Sequence, residues 1–189
     1  MARRVLAALA ALAALAGCGA PASAPPPPPV SASSFNDTDV MYLQMSIAHH
    51  RQGIDLVRLA AGRPVRAQVA DLAKAIELTQ AEEVESMTGW LAEWGKPAHT
   101  DPDPGAHKAH GGLPLTAPDT IESLRTTTDG EFERRFVTVL TGHQHGAVEM
   151  ARAELAGGVS HSARALADRV VRSRKGQIEQ LLGLTGQPG

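Results

Sequence analysis

The sequence predicts an all-α protein, an antiparallel four-helix bundle built from two duplicated hairpins. Apolar residues recur at helical spacing in four long segments, and the alternation typical of strands is absent. The pattern around His49 returns around His143, an offset of 143 − 49 = 94 residues. Because a repeat of this size usually marks one supersecondary unit used twice, we expect two helical hairpins that bury their apolar faces against each other.

The first predicted helix carries a histidine pair, His49-His50, in the middle of its apolar face. Asn36 or Asp37 is a suitable N-cap, and the helix should end near Gly62. Two adjacent stripes form the face: Leu43, Ile47, His50, Ile54 and Val57, beside Tyr42, Met45, His49, Gln52, Leu56 and Leu59. A solvated histidine is not expected there, so both imidazoles should face the core.

The other three long helices follow from apolar spacing and from the glycines and prolines that end them. The second should run from about Val65 to Trp94, and the third from near Asp129 to residues 157–158. The fourth should begin after Ser160 and end near Leu184.

A loop rich in proline and glycine, residues 99–119, joins the two hairpins and contains His99, His107 and His110. A short helix is predicted at about 118–126. One long crossover between hairpins is the connectivity of ferritin-like bundles.

The N-terminus is typical of an exported lipoprotein. Residues 1–17 combine basic residues, a short apolar run and small residues, which predicts a signal peptide that precedes a lipidated Cys18. Residues 18–34 then form a proline-rich linker, 35–184 the bundle domain and 185–189 a flexible tail. We expect an anchor on the outer face of the cytoplasmic membrane or on another envelope membrane. An ordinary signal peptide with a chance cysteine is the alternative.

Composition and missing motifs argue against several functions. The net charge is −2 and no basic stripe is present, which argues against nucleic-acid binding. Cys18 is the only cysteine, so an intrachain disulfide and Cys-x-x-Cys-His haem attachment are excluded. The chain has no Glu-x-x-His, the pair that di-iron bundles carry on two helices.

The histidines and methionines suggest a copper site. Met41, Met45 and His49 are spaced i, i+4, i+8 on one strip of the first helix, and Met150 shares a strip with His143. Imidazole with thioether suits copper, especially Cu(I). The candidate metal ligands are therefore His49, His50, His143, Met45 and Met150.

Structural roles for the same residues stay open. Buried histidines can be hydrogen-bonded core residues, and methionines often fill gaps in helical cores. His145 falls on a polar strip and is predicted to lie on the surface. His107 and His110 could form a second, labile site or simply be exposed.

The chain resembles the domain-of-unknown-function 305 family from about Phe35 to Leu182. The resemblance is carried by Asp39, Tyr42, Ile47, His49-His50 and Ile54, by Gln80, Glu83-Val84, Met87 and Trp90-Leu91, and by Phe136, His143, Gly146-Ala147 and Met150-Ala151. It implies a ferritin-like helical bundle, often exported, with some members associated with copper or silver binding.

Two departures from the family pattern remove potential ligands. The second motif usually reads His-His, but here it reads His143-Gln144, with His145 displaced by one residue. Ser46 stands where a methionine is common. Metal affinity or stoichiometry could therefore differ from that of other members, or metal binding could be lost.

These observations lead to one main hypothesis and two alternatives. The main hypothesis is a membrane-tethered, extracytoplasmic protein that binds copper and buffers it or passes it to a partner protein. The first alternative is an envelope interaction or structural module whose core histidines only specify packing. The second is an enzyme, although no motif names a substrate.

Overall fold

The structure is a computed structural model, which describes residues 34–100 and 112–185. Five helices make up this part of the chain: α1 Asp37–Arg58, α2 Ala67–Glu93, α3 Pro118–Arg125, α4 Asp129–Gly157 and α5 His161–Thr185. No strand occurs in the two described ranges. The all-α prediction is confirmed, and the four long helices and the short α3 lie close to their predicted positions.

The predicted hairpins are present as α1 with α2 and α4 with α5. Each pair packs along its length, and α1 and α4 join the two hairpins face to face. The N-terminal half of α1 shares a core cluster with the C-terminal half of α4, so these two helices run antiparallel. The helices that carry the two histidine motifs therefore form the central pair of the bundle.

Asn36 is the N-cap of α1, one of the two residues that the sequence predicted for this position, and it forms a capping box with Asp39. The side chain of Asn36 accepts a hydrogen bond from the backbone N–H of Asp39, and the Asp39 carboxylate accepts one from the backbone N–H of Asn36. Asp39 also accepts the N–H groups of Val159 and Ser160 at distances of 3.1 and 2.9 Å. This one carboxylate therefore ties the start of α1 to the start of α5.

Two apolar clusters fill the bundle, one on each side of a polar layer. The first cluster takes residues 42–47 of α1 and 147–151 of α4, and the second takes 56–60 and 132–140 of the same helices. Residues 49–53 and 143–144 lie between them and include the histidines. The fold therefore places both motifs at the middle of the bundle.

Some predictions fall outside the described residues. These are the signal peptide, Cys18, the linker up to residue 33, His107, His110 and residues 186–189. Within the described part, no helix is long and apolar enough to cross a membrane.

Candidate metal centre

The imidazoles of His49 and His143 stack in the middle of the bundle. Their ring centroids lie 3.8 Å apart with an angle of 17° between the planes, and the two residues are 0% and 3% exposed. These residues occupy equivalent positions in the two repeats. The approximate twofold axis that relates the hairpins therefore passes between the rings. The prediction that imidazoles from both halves meet inside the bundle is confirmed; their role as metal ligands stays a prediction.

The ring nitrogens of the stacked pair face opposite helices. A Cβ placed on Gly53 of α1 would lie 2.8 Å from Nε2 of His143, and one on Gly146 of α4 would lie 3.2 Å from Nε2 of His49. Within the described residues, Nε2 of His143 and both ring nitrogens of His49 have no hydrogen-bond partner. Three buried nitrogen atoms are thus left without the partners that such groups normally have.

His50 belongs to a charged group that links three helices. Its Nε2 lies 2.8 Å from Oε2 of Glu83 on α2, and the fully buried guanidinium of Arg174 on α5 donates to the same carboxylate oxygen. Burial alone would raise the pKa of Glu83, but the hydrogen bond from His50 and the charge of Arg174 hold it below its usual value. Glu83 is therefore a carboxylate that pairs with Arg174.

The second repeat has a neutral version of this group. Gln144 is the equivalent of His50, and Gln177 is the equivalent of Glu83. The amide of Gln144 donates a hydrogen bond to Gln177, and the two residues of each pair are 33 positions apart in the sequence. Gln80 is equivalent to Arg174, since 174 − 80 = 94. Its amide lies beside Gly53 and His143 and has no hydrogen-bond partner among the described residues. The polar layer is therefore charged on the side of the first repeat and neutral on the other.

Three methionines line a cavity next to the histidines. The cavity has a volume of about 310 Å³. Its wall is formed by Thr38, Met41, Tyr42, Met45, Gly112, Pro114, Glu149, Met150, Ala153 and Glu154. Met45 and Met150 come from different hairpins and are both buried. The structure therefore brings together the two methionines named from the sequence and adds Met41, whereas Met87 is buried away from this wall.

The segment 112–116 covers both the cavity and the histidine pair. Gln52 holds it with two hydrogen bonds, because its amide donates to the carbonyl of Thr116 at 2.9 Å and accepts the N–H of Thr116 at 2.7 Å. The Thr116 hydroxyl lies 3.2 Å from Nδ1 of His143. Pro114 borders the cavity and also lies against Gly146 near His49. Pro114 therefore connects the methionine cavity with the imidazole pair.

Burial keeps the imidazoles uncharged at neutral pH. It lowers the pKa of His143 to about 4, and the positive charge of Arg174 acts in the same direction. Burial also holds the pKa of His49 well below its usual value, and that of His50 is lowered in spite of the Glu83 carboxylate. The backbone carbonyls of His143 and His49 lie beside the opposite ring and only partly oppose these shifts. Neutral imidazoles are the form that binds metal ions.

A pair of carboxyl groups lies at one end of the cavity. Glu154 is fully buried, and burial together with the neighbouring Asp39 raises its pKa to about 8. Burial would also raise the pKa of Asp39, but the neighbouring Glu154 carboxyl group and hydrogen bonds from backbone N–H groups lower it. The proton therefore resides on Glu154 at neutral pH, and Asp39 remains the carboxylate that caps α5.

His145 and His99 are exposed, and for His145 this confirms the sequence prediction. Among the described residues, no group of three or more His, Cys, Asp or Glu side chains is placed to hold a metal ion.

Sequence reasoning did not identify Arg174, Glu154 or the Gln52 clamp as parts of this region. A signal for Arg174 was available in the repeat. The 94-residue offset makes Arg174 the equivalent of Gln80 and therefore places it on the apolar side of its helix. No comparable pattern marks Gln52, whose partner lies in an irregular segment.

Solved structures share this fold. A fragment from Deinococcus radiodurans, described as DUF305, is 26% identical with a TM-score of 0.70; the match covers 80% of this chain and 97% of the fragment. A DUF305 protein from Streptomyces coelicolor, named as a presumed secreted protein, is 25% identical with a TM-score of 0.72, and the match covers 78% and 91%. CopM in the Cu(I)-bound form is 24% identical with a TM-score of 0.62, and the match covers 77% and 94%.

No protein of curated function matches the chain with significant similarity. The model of the family called Domain of unknown function (DUF305) matches residues 39–185, which include every described helix except the first two residues of α1. The histidine layer and all the residues of the methionine cavity except Thr38 lie within this match. The chain therefore belongs to the DUF305 family.

Proposed function

We propose that this protein is an extracytoplasmic, lipid-anchored copper-binding protein that buffers Cu(I) or passes it to a partner protein. The observation that carries the proposal is the position of His49, which adjoins through Pro114 a half-open cavity lined by the buried Met45 and Met150. An imidazole and two thioethers from different hairpins then lie in one region of the bundle.

The donor atoms suit Cu(I) in three respects. Thioether and imidazole are softer ligands than carboxylate or water and favour Cu(I) over magnesium or calcium. The imidazoles are neutral at neutral pH and therefore need not lose a proton to bind. Unpartnered nitrogens on His49 and His143 leave lone pairs available inside the protein. A cation bound there would satisfy polar atoms that are otherwise costly to bury.

The stacked rings limit how one ion can be shared. An imidazole nitrogen binds a metal ion along the plane of its ring, so two rings stacked 3.8 Å apart cannot direct both lone pairs at one ion. We therefore assign the first contacts to His49, Met45 and Met150. His143 and His50 would join them if the rings turn apart when the ion enters.

The relatives support a copper-binding role and an extracytoplasmic location, without bearing on which residues bind the metal. CopM shares the fold and has been solved in Cu(I)-bound, Cu(II)-bound and Ag-bound forms. The Streptomyces relative, named as presumed secreted, supports an extracytoplasmic location. Cys18 after its small-residue signal supports lipid attachment. Replacing Cys18 with serine should release the protein from the membrane fraction.

A competition titration of the full chain with a colorimetric Cu(I) chelator tests the proposal. The double variant His49→Ala with His143→Ala should bind Cu(I) at least roughly tenfold more weakly, a loss of about 1.4 kcal/mol or more. His49→Phe with His143→Phe keeps two stacked rings and removes every ring nitrogen, so it separates lost ligands from lost packing. His145→Ala, an exposed histidine on the same helix, is the control and should bind like wild type.

The second candidate function is an interaction module of the cell envelope that binds no metal. It is favoured by the backbone carbonyls beside the His49 and His143 rings and by the buried pairing of His50 with Glu83. In that case the double variants would titrate like wild type while losing thermal stability.

A further inference from the structure

We propose that Glu83 is a positioning residue that fixes His50 in the tautomer with hydrogen on Nε2, leaving Nδ1 as the atom that can bind a soft metal cation. Arg174 holds Glu83 in place for this role. The ligand role of His50 rests on the proposed function, whereas its tautomer can be measured without metal.

The hydrogen-bond geometry determines which ring nitrogen carries the hydrogen. Oε2 of Glu83 lies 2.8 Å from Nε2 of His50, and a carboxylate can only accept. The guanidinium of Arg174 can only donate, and it donates to the same Oε2. Its 3.3 Å approach to Nε2 is therefore a contact between two donors and not a second hydrogen bond. Nε2 of His50 must bear hydrogen.

The charge balance of the group leaves His50 neutral. Arg174 and Glu83 already form an ion pair, with side chains that are 0% and 12% exposed. A further positive charge on the fully enclosed His50 would lack a partner of its own, and unpaired buried charge is costly. A neutral imidazole with hydrogen on Nε2 has a bare Nδ1. That atom is buried and has no hydrogen-bond partner among the described residues.

The second repeat supplies an internal comparison. Gln144 and Gln177 keep the hydrogen bond between the two helices at the same 33-residue separation, so a neutral pair is sufficient for packing there. Only the first repeat pairs an imidazole with a carboxylate, and α5 of the second repeat supplies the buried arginine that contacts them. Metal-binding histidines commonly donate their other ring N–H to a carboxylate, which sets the tautomer and makes the ligand more basic.

A structural alternative would put the hydrogen elsewhere. The carbonyl of Ser46 also lies beside the His50 ring. If Nδ1–H donated to Ser46, the ring would have no free lone pair on that atom and Glu83 would serve packing alone. The two arrangements differ in which nitrogen of His50 is protonated.

Nitrogen-detected NMR of the full chain, labelled with ¹⁵N-histidine and free of metal, distinguishes them at neutral pH. We expect His50 to show a protonated Nε2 and a bare Nδ1, and Glu83→Gln to give mixed tautomers or to move the hydrogen to Nδ1. Glu82→Gln, the exposed neighbour in α2, is the control and should keep the wild-type pattern. A wild-type His50 with hydrogen on Nδ1, or on both nitrogens, would overturn the proposal even if Glu83→Gln failed to fold.

Titration with Ag(I), a d10 substitute for Cu(I) that is stable in air, tests the ligand role. Glu83→Gln should weaken binding about 10- to 100-fold. This is the usual effect of replacing a residue that accepts a hydrogen bond from a metal-binding histidine. Combining it with His50→Ala should weaken binding no further than His50→Ala alone, because Glu83 acts through His50. Additive losses would show that Glu83 acts independently of His50 and would overturn the proposal.

The outcomes also separate this inference from the proposed function. If the full chain binds neither ion, the proposed function and the ligand role of His50 fail together. A tautomer that depends on Glu83 would still support its positioning role in that case.

Discussion

Gly53 and His143 meet where α1 crosses α4, and the glycine leaves no room for a side chain. A Cβ at position 53 would lie 2.8 Å from Nε2 of His143 and closer still to the amide oxygen of Gln80. Both neighbouring side chains are buried, so neither can move aside freely. The polar layer therefore depends on a residue that makes no contact through a side chain of its own.

Gly53→Ala should force His143 and Gln80 out of position. Alanine normally stabilises a helix interior relative to glycine by up to about 1 kcal/mol, so a loss of thermal stability would be caused by the clash. Gly142→Ala, on α4 with open space around its position, is the matched control and should be neutral or stabilising. Thermal unfolding of both variants tests this. Equal effects would show that the layer tolerates the added methyl group.

The stability of the protein should pass through a maximum near pH 6.5. On the acid side, the pKa of His143 is about 4 in the folded protein and that of His49 is also lowered, against an ordinary value of 6.5. The unfolded chain therefore takes up protons first, and stability is lost as the pH falls from 6.5 toward 4. On the alkaline side, Glu154 keeps its proton up to about pH 8 when folded but only to about 4.5 when unfolded. Stability therefore falls as the pH rises toward 8.

Denaturant unfolding at several pH values measures both sides. Above pH 6.5 a single retained proton gives a decline of at most roughly 1.4 kcal/mol per pH unit. Glu154→Gln, which cannot ionise, should remove most of this decline. Glu149→Gln on the same helix is exposed and should retain it. A decline of equal slope in Glu154→Gln and wild type would show that another group is responsible.

Removing the cavity sulfurs should weaken copper binding with little effect on folding. Met45→Leu with Met150→Leu keeps most of the side-chain volume, and such swaps usually cost less than about 1.5 kcal/mol each. We expect Cu(I) affinity to fall by roughly tenfold or more because thioether ligands are lost. Met87→Leu changes a methionine in the same core cluster that does not line the cavity, and it should bind like wild type. A loss of the same size in Met87→Leu would indicate a general packing effect.

The sequence allowed the fold to be predicted because its signals are local and repeated. The apolar stripes of α1 recur in α4, and Asn36 at the start of the first helix is a residue type that favours the N-cap. The 94-residue offset also placed His49 and His143 on the inner faces of two hairpins that were expected to pack against each other.

The polar partners could not be predicted in the same way. An arginine is normally read as a surface residue, so the buried Arg174 becomes understandable only with Glu83 placed beside it by tertiary packing. The Gln52 clamp depends on the path of an irregular segment that has no period. The stacking of His49 on His143 depends on side-chain rotamers, and sequence spacing does not determine these.

X-ray absorption spectroscopy of the full chain loaded with Cu(I) tests the central claim most directly, because it identifies the atoms bound to the metal. We predict both sulfur and imidazole nitrogen among the neighbours of copper, with the sulfur contribution lost in Met45→Leu with Met150→Leu. Since Cys18 is the only other source of sulfur ligands besides methionine, the same spectrum from Cys18→Ser should be unchanged. A copper environment of oxygen and nitrogen alone, or sulfur that disappears with Cys18, would contradict the account.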